Sequence, residues 1–298
     1  MSLTGRVAIV TGAGGGLGRA HAHFLAAKGA KVVVNDLSAE AARKVADEIE
    51  SVGGTASAFA ASVTDEAAIA EMVSTTIATY GRVDIIVNNA GILRDKSFGK
   101  MSIEDFRLVV EVHLMGSVIC TKAVWPIMRE RQFGRIVMTT SSSGLYGNFG
   151  QANYGAAKLA LVGLMQTLAI EGEKYNIRVN CLAPTAATGM TQGILPEHNL
   201  RLLAPERVSP GLLALVSDEA PSRAILCAGA AHFACANITL TEGVQIGDRP
   251  DAAEEVIRHW SEVSDRSSEI VPDYGFVQAE REVASASSPT PLKAAAGE

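Results

Sequence analysis

Short apolar runs alternate along this chain with longer stretches in which apolar residues return every three or four positions. The runs fall at Val7–Val10 and at residues 31–34, 55–59, 83–87, 135–139, 177–182 and 224–228. A near-continuous apolar run of this length predicts a strand buried on both faces. The longer stretches, at 18–28, 39–52, 65–80, 103–128 and 154–175, carry the helical period. Strands alternating with helices imply right-handed crossovers and an α/β, doubly wound parallel sheet with helices on both faces.

The pattern loosens after the sixth run. Residues 188–220 mix apolar side chains with Pro196, Pro205, Pro210 and Gly211, which predicts a lobe of short helices over the substrate. Beyond Gly247, Asp251 is placed to cap a helix with an apolar stripe of Val256, Ile257, Trp260 and Val263, docked on its own core or a partner subunit. The expected organisation is one domain over 1–247, a C-terminal helical extension over 248–282 and a disordered tail over 283–298.

Charge adds an asymmetry. The net charge is -6, yet residues 1–247 hold 21 acidic and 21 basic side chains, against 11 and 5 in 248–298. A neutral core without a basic block argues against nucleic acid or an anionic membrane as partner. No apolar run reaches membrane-spanning length, and the N-terminus enters a strand instead of a signal peptide, so a cytoplasmic protein is expected. Cys120, Cys181, Cys227 and Cys235 have no metal-ligand spacing and read as free, mostly buried thiols. His21 and His23 diverge on one helix, so no metal site is expected.

Chemistry concentrates at the strand ends. The first run enters Thr11-Gly12-Ala13-Gly14-Gly15-Gly16-Leu17-Gly18 and then a helix, the context in which backbone N–H groups meet a pyrophosphate at a helix N-terminus. This makes the sheet Rossmann-type. The second run ends at Asp36-Leu37, where a carboxylate accepts from ribose hydroxyls and repels a 2'-phosphate, favouring NAD over NADP; a turn or cap role for Asp36 is the other reading. The fourth run enters Asn88-Asn89-Ala90-Gly91 at the same carboxyl edge.

The fifth run delivers Ser141, and thirteen residues on, Tyr154 and Lys158 share one face of a helix. A phenol near its usual pKa of about 10 is a poor acid-base group at neutral pH, and a neighbouring ammonium favours the phenolate. Lys158 is expected to supply it.

Five motifs in this order, Thr11 to Gly18, Asn88 to Gly91, Ser141, Tyr154 and Lys158, resemble the short-chain dehydrogenase/reductase family over about residues 3–245. More narrowly, NNAGILRDKSF, AVWPIM, FGRIVMTTSSSGLYGNFGQANYGAAK and LAIEGEKYNIRVNCLAP are similar to the (3R)-hydroxyacyl-CoA dehydrogenase unit of type-2 peroxisomal multifunctional enzymes. The resemblance implies an NAD-dependent enzyme interconverting a secondary alcohol and a ketone, most closely a (3R)-3-hydroxyacyl-CoA. A hydroxysteroid or other bulky alcohol is the alternative, and a dinucleotide-binding sensor without catalysis a third reading.

By that resemblance Tyr154 is the acid-base, Ser141 binds the substrate oxygen, and Lys158 binds the nicotinamide ribose while lowering the Tyr154 pKa. The cofactor set becomes Gly12, Gly14, Gly15, Gly16, Leu17, Gly18, Asp36, Leu37, Ser62, Val63, Asn89, Ala90, Gly91, Tyr154, Lys158, Pro184 and Thr188. Met190, Ile194, Leu195, Leu202 and Leu203 line the pocket, with Arg94, Lys96, Lys100, Arg201 and Arg207 as basic candidates for coenzyme A phosphates. Ser62-Val63 replaces an adenine-contacting Asp-Val, Pro184-Thr185 replaces Pro-Gly, and the usual Val-Asp-Gly-Gly ending is missing. His113 stands where the family has an Asn that organises a water linking the lysine to solvent; it either takes that role or merely packs. A homodimer or homotetramer through helices 103–128 and 154–175 is implied as well.

Overall fold

The computed structural model describes residues 1–187 and 197–287. Two compact units are present, Met1–Ala236 and the chain from Asn237 onward. The first holds the sheet. In chain order it runs β1 (Val7–Val10), α1 (Gly16–Ala27), β2 (Lys31–Asp36), α2 (Ala39–Ser51), β3 (Thr55–Ala60), α3 (Glu66–Tyr80) and β4 (Ile85–Asn88). Then follow α4 (Ile103–Val110), α5 (Gly116–Arg131), β5 (Gly134–Thr139), α6 (Ser142–Tyr146), α7 (Ala152–Gly172) and β6 (Ile177–Thr185). Short helices α8 (Glu197–Leu202) and α9 (Ser209–Val216) precede β7 (Ile225–Gly229) and β8 (His232–Ala236).

Among the described residues the strand order is β3-β2-β1-β4-β5-β6-β7-β8. The order reverses beside β1, so the carboxyl ends of β1 and β4 flank the crevice where such sheets bind ligands. All neighbouring pairs are parallel except β7 with β8. The antiparallel edge strand β8 was not expected; a tight turn through Ala230 and Ala231, both at positive φ, returns the chain.

Successive strand residues serve opposite faces. Val10, Val34, Val87 and Leu182 pack with Leu25, Ile49 and Leu212 on one side. Ile9, Val33, Ile86 and Ile136 pack with Met72, Val124 and Leu161 on the other. Covering both faces makes the strands read as unbroken apolar runs, and each fully buried side chain contributes about 1.5–3 kcal/mol.

One element departs from expectation in a way that bears on the site. The helix expected over 103–128 is three pieces: α4, a π turn over Glu111–Met115, and α5. The whole stretch Ile103–Arg131 is long and apolar enough to cross a bilayer by composition, contrary to the sequence reading. Its Val109, Cys120, Val124 and Met128 are instead buried in the first unit.

The second unit contains α10 (Ala252–Arg258), α11 (Trp260–Val263) and α12 (Phe276–Ser287), with an antiparallel bridge between Leu240 and Ile270. Asp251 precedes α10 but makes no side-chain cap; Arg249 holds its carboxylate. The helix breaks at His259, so the expected stripe is interrupted, and Ile257 and Trp260 are exposed.

Candidate active site

The glycine turn is shaped by close approach. Gly12 has a φ of 60°, and a Cβ there would lie 2.8 Å from the Ala90 Cα. At Gly18 a Cβ would come 2.6 Å from Asn89 Nδ2. Asn89 itself donates through Nδ2 to the Thr11 and Gly12 carbonyls at 2.9 and 3.1 Å, while the Thr11 hydroxyl accepts from the N–H groups of Asn89 and Ala90. The Asn89 amide nitrogen thereby holds the turn.

α2, α3 and α4 are capped by Ser38, Asp65 and Ser102 and carry acidic residues in their first turns. α1 begins at Gly15 with neither, and nothing lies within 4 Å of the position a Gly15 side chain would take. Free N–H groups, an uncompensated helix dipole and open space over a glycine fit a dinucleotide pyrophosphate.

Asp36 accepts from the Gly14 N–H at 2.9 Å and the Ser38 N–H at 3.1 Å. The cap of α2 is Ser38 itself. Asp36 is therefore fixed against the glycine turn. Leu37 is exposed beside it. Ser62 shares a 2.8 Å hydrogen bond with Thr64. Val63 is buried against Gly116, where a Cβ would meet its Cγ2 and lie 3.0 Å from its Cβ. Pro184 and Thr185 end β6.

Ser141 caps α6: its Oγ accepts from the Ser143 N–H at 3.2 Å. The hydroxyl proton is then free for an oxygen in front of it, and Ser141 favours the Tyr154 phenolate. α7 starts at Ala152, two residues earlier than expected, and carries Tyr154 and Lys158 one turn apart. Lys158 is buried, donates from Nζ to the Thr139 carbonyl at 2.5 Å, and sits 5.5 Å from the Tyr154 ring centroid.

The electrostatics correct a simple expectation. Burial lowers the Lys158 ammonium to about 7, and burial together with the charge of Asp95 raises the Tyr154 phenol, against a lowering by the Ser141 hydroxyl. In this state desolvation outweighs any help from Lys158, and the phenol is protonated at neutral pH.

His113 lies in the π turn, buried, its ring edge-on to Tyr154 at 5.2 Å. Its Nε2 meets both the carbonyl oxygen (2.8 Å) and the N–H (3.1 Å) of Ile92, while Nδ1 is buried without a hydrogen-bond partner among the described residues. Burial, then the charge of Lys158, lowers its pKa to about 3, so the ring is neutral. Gly91 makes room for it: a Cβ there would overlap the ring.

Ser141, Tyr154, Lys158 and His113 thus meet beside the glycine turn. Thr188, Met190, Ile194 and Leu195 lie outside the described residues. Leu202 is exposed, and the Leu203 carbonyl accepts from the Ala187 N–H. Arg94 and Lys96 both pair with Asp105, at 3.9 and 3.1 Å, which weakens them as phosphate anchors. Sequence reasoning missed Asn153, fully buried next to Tyr154, and Asp95. Adjacency to the tyrosine was the only signal.

The profile of the family described as short chain dehydrogenase matches residues 6–199. This chain belongs to that family. As a short-chain dehydrogenase it is an oxidoreductase acting on CH–OH groups. It is 46% identical over 276 residues to the peroxisomal multifunctional enzyme type 2 of Drosophila melanogaster, covering 88% of this chain and 46% of that enzyme. The solved full-length Drosophila enzyme superposes with a TM-score of 0.81 at 38% identity, over 95% of this chain and 49% of that one. A Mycobacterium tuberculosis protein described as a short-chain type dehydrogenase/reductase is 46% identical over 272 residues, 88% of this short-chain dehydrogenase and 95% of the relative. A 7α-hydroxysteroid dehydrogenase solved with NADH and 7-oxo glycochenodeoxycholic acid superposes with a TM-score of 0.72 at 32% identity, over 77% of this chain and 94% of that one. The chain spans less than half the length of the Drosophila multifunctional enzyme.

Proposed function

We propose that this short-chain dehydrogenase interconverts a (3R)-3-hydroxyacyl-CoA and its 3-ketone with NAD, working as a homodimer or homotetramer. The observation that carries the chemistry is Tyr154 one helical turn from the buried Lys158, whose Nζ lies 5.5 Å from the phenol ring centroid, with Ser141 at the head of α6. Similarity to the multifunctional enzymes supports the substrate. Asp36, held toward the crevice by Gly14, supports NAD over its phosphorylated form.

The α1 N-terminus would hold the pyrophosphate, Asp36 and Lys158 the two riboses. NAD, when bound, supplies the hydride acceptor. The chain's own work is proton handling. With its acceptor side occupied by the Ser143 N–H, Ser141 donates to the substrate oxygen and polarises it. Tyr154, protonated at neutral pH, gives its proton to the forming alkoxide during reduction; in oxidation its phenolate takes the hydroxyl proton. His113, neutral and packed edge-on against Tyr154, takes the place in the proton relay that the family gives to an Asn.

The pairing of Arg94 and Lys96 with Asp105 favours one second reading, a bulky apolar alcohol such as a hydroxysteroid. Following NADH formation from (3R)- and (3S)-3-hydroxyacyl-CoA chains and from a hydroxysteroid panel separates the two. Turnover of the (3R) thioesters is expected; turnover of steroids alone rejects the thioester assignment. The multifunctional relatives are peroxisomal by name, so a peroxisomal setting stands beside the cytoplasmic one. Fractionation of producing cells distinguishes them.

A further inference from the structure

The start of α7 has a weak cap of its own. Gln151, at the cap position, makes no side-chain cap hydrogen bond, so the first-turn N–H groups need other acceptors. One acceptor is the next side chain but one. The fully buried Asn153 accepts from the Tyr154 N–H through Oδ1 at 2.7 Å and donates through Nδ2 to the Arg94 carbonyl at 3.1 Å. Beside it, Gln151 Nε2 donates to Asp95 at 2.6 Å and the Lys96 N–H donates to the Gly150 carbonyl at 2.9 Å. The loop that follows Gly91 is thereby laced to the four residues that lead into Tyr154. Its other side is tied to α4, since Lys96 and Arg94 pair with Asp105.

We propose that Asn153 is a positioning residue which, with the Gln151–Asp95 strap, sets the placement of Tyr154 by tying the head of α7 to the 92–97 loop. The inference rests on Tyr154 as the proton-transfer group. Asn153 touches no reacting atom. Its two hydrogen bonds join the backbone of the catalytic tyrosine to a segment about sixty residues earlier, and a loop displaced by substrate entry would move the phenol with it.

The test is made in the reductive direction at pH 7, where the phenol is protonated and the Asp95 charge does not alter its state. Asn153→Ala is expected to lower kcat about 10- to 100-fold while NADH affinity, read by fluorescence titration, stays within twofold. Asp95 is exposed, so its variants keep the fold if Asn153→Ala does not. Asp95→Ala cuts the strap and is expected to lower kcat about fivefold. Asp95→Asn keeps an acceptor for Gln151 and is expected to restore kcat to within twofold of the parent. Near-parental kcat in Asp95→Ala overturns the proposal, as does equal loss in Asp95→Asn and Asp95→Ala. Tyr154→Phe is run alongside: full activity there sinks the role of Tyr154 itself, whereas an inactive Tyr154→Phe with active strap variants sinks only the positioning role.

Discussion

Gly91 and the His113 ring are in contact so close that only a hydrogen fits between them: a Cβ on Gly91 would lie 2.8 Å from Nδ1 and nearer still to Cε1. The Asn-Asn-Ala-Gly segment therefore ends in glycine because a histidine from the π turn occupies that space. Gly91→Ala is expected to push the ring off Tyr154 and lower kcat at least tenfold. Combining it with His113→Ala, which vacates the space, should cost little more than His113→Ala alone. Additive losses in this double-mutant cycle would show that the contact does not matter.

Lys158 bears on stability as well as chemistry. Its pKa is about 7 in the folded chain and near 10.4 when unfolded. Between those values the unfolded chain binds more protons, so stability rises with pH as the buried cation is relieved. From pH 7 to pH 9 the cofactor-free protein should gain on the order of 2 kcal/mol from this group. Denaturant titrations of the parent and of Lys158→Met check it: the variant's pH slope should be flatter, and identical slopes would contradict the assignment.

His21 works at the acid end. It is buried in α1 with Nδ1 on the Ser209 hydroxyl at 2.9 Å, and burial lowers its pKa to about 3. A folded pKa below the unfolded value of about 6.5 makes stability fall as pH drops below that value. At pH 5 the loss relative to pH 7 should be about 2 kcal/mol. His113, lowered to about 3 as well, should contribute a similar loss, so His21→Gln should remove about half of the acid sensitivity in melting curves at the two pH values. A parent-like acid dependence in the variant would count against it.

Asp36 is expected to set cofactor choice. Its carboxylate is anchored by two backbone N–H groups, so it cannot swing away from an incoming 2'-phosphate. Asp36→Ala should weaken NADH about tenfold, equivalent to about 1.4 kcal/mol, and leave NADPH unchanged or tighter. Fluorescence titration with both dinucleotides reads the ratio. An unaltered ratio would remove Asp36 from the specificity argument.

The apolar runs, the glycine turn and the Tyr154–Lys158 spacing were legible because each is a local pattern. Period two or 3.6 follows from backbone geometry, and a turn such as that at Gly12 needs a glycine wherever it occurs. β8 was not legible, since His232–Ala236 is short and largely exposed and its pairing with β7 depends on a turn at two alanines with positive φ. Nor was the π turn, because the helical period over 103–128 reads the same whether the helix is regular or bulged at His113.

What the sequence determined by itself was the order of strands and helices and the residue types at each strand end, since short-range propensity and hydrophobic period need no partner. Only the tertiary structure decided how those ends act on one another. It tied the Asn89 amide to the glycine turn, seated His113 against Gly91, tied Asn153 to Arg94, and buried both Lys158 and Tyr154 so that desolvation is the largest influence on each. Those outcomes depend on contacts between residues distant in the chain and on how much water is excluded, quantities that exist only once the chain has packed.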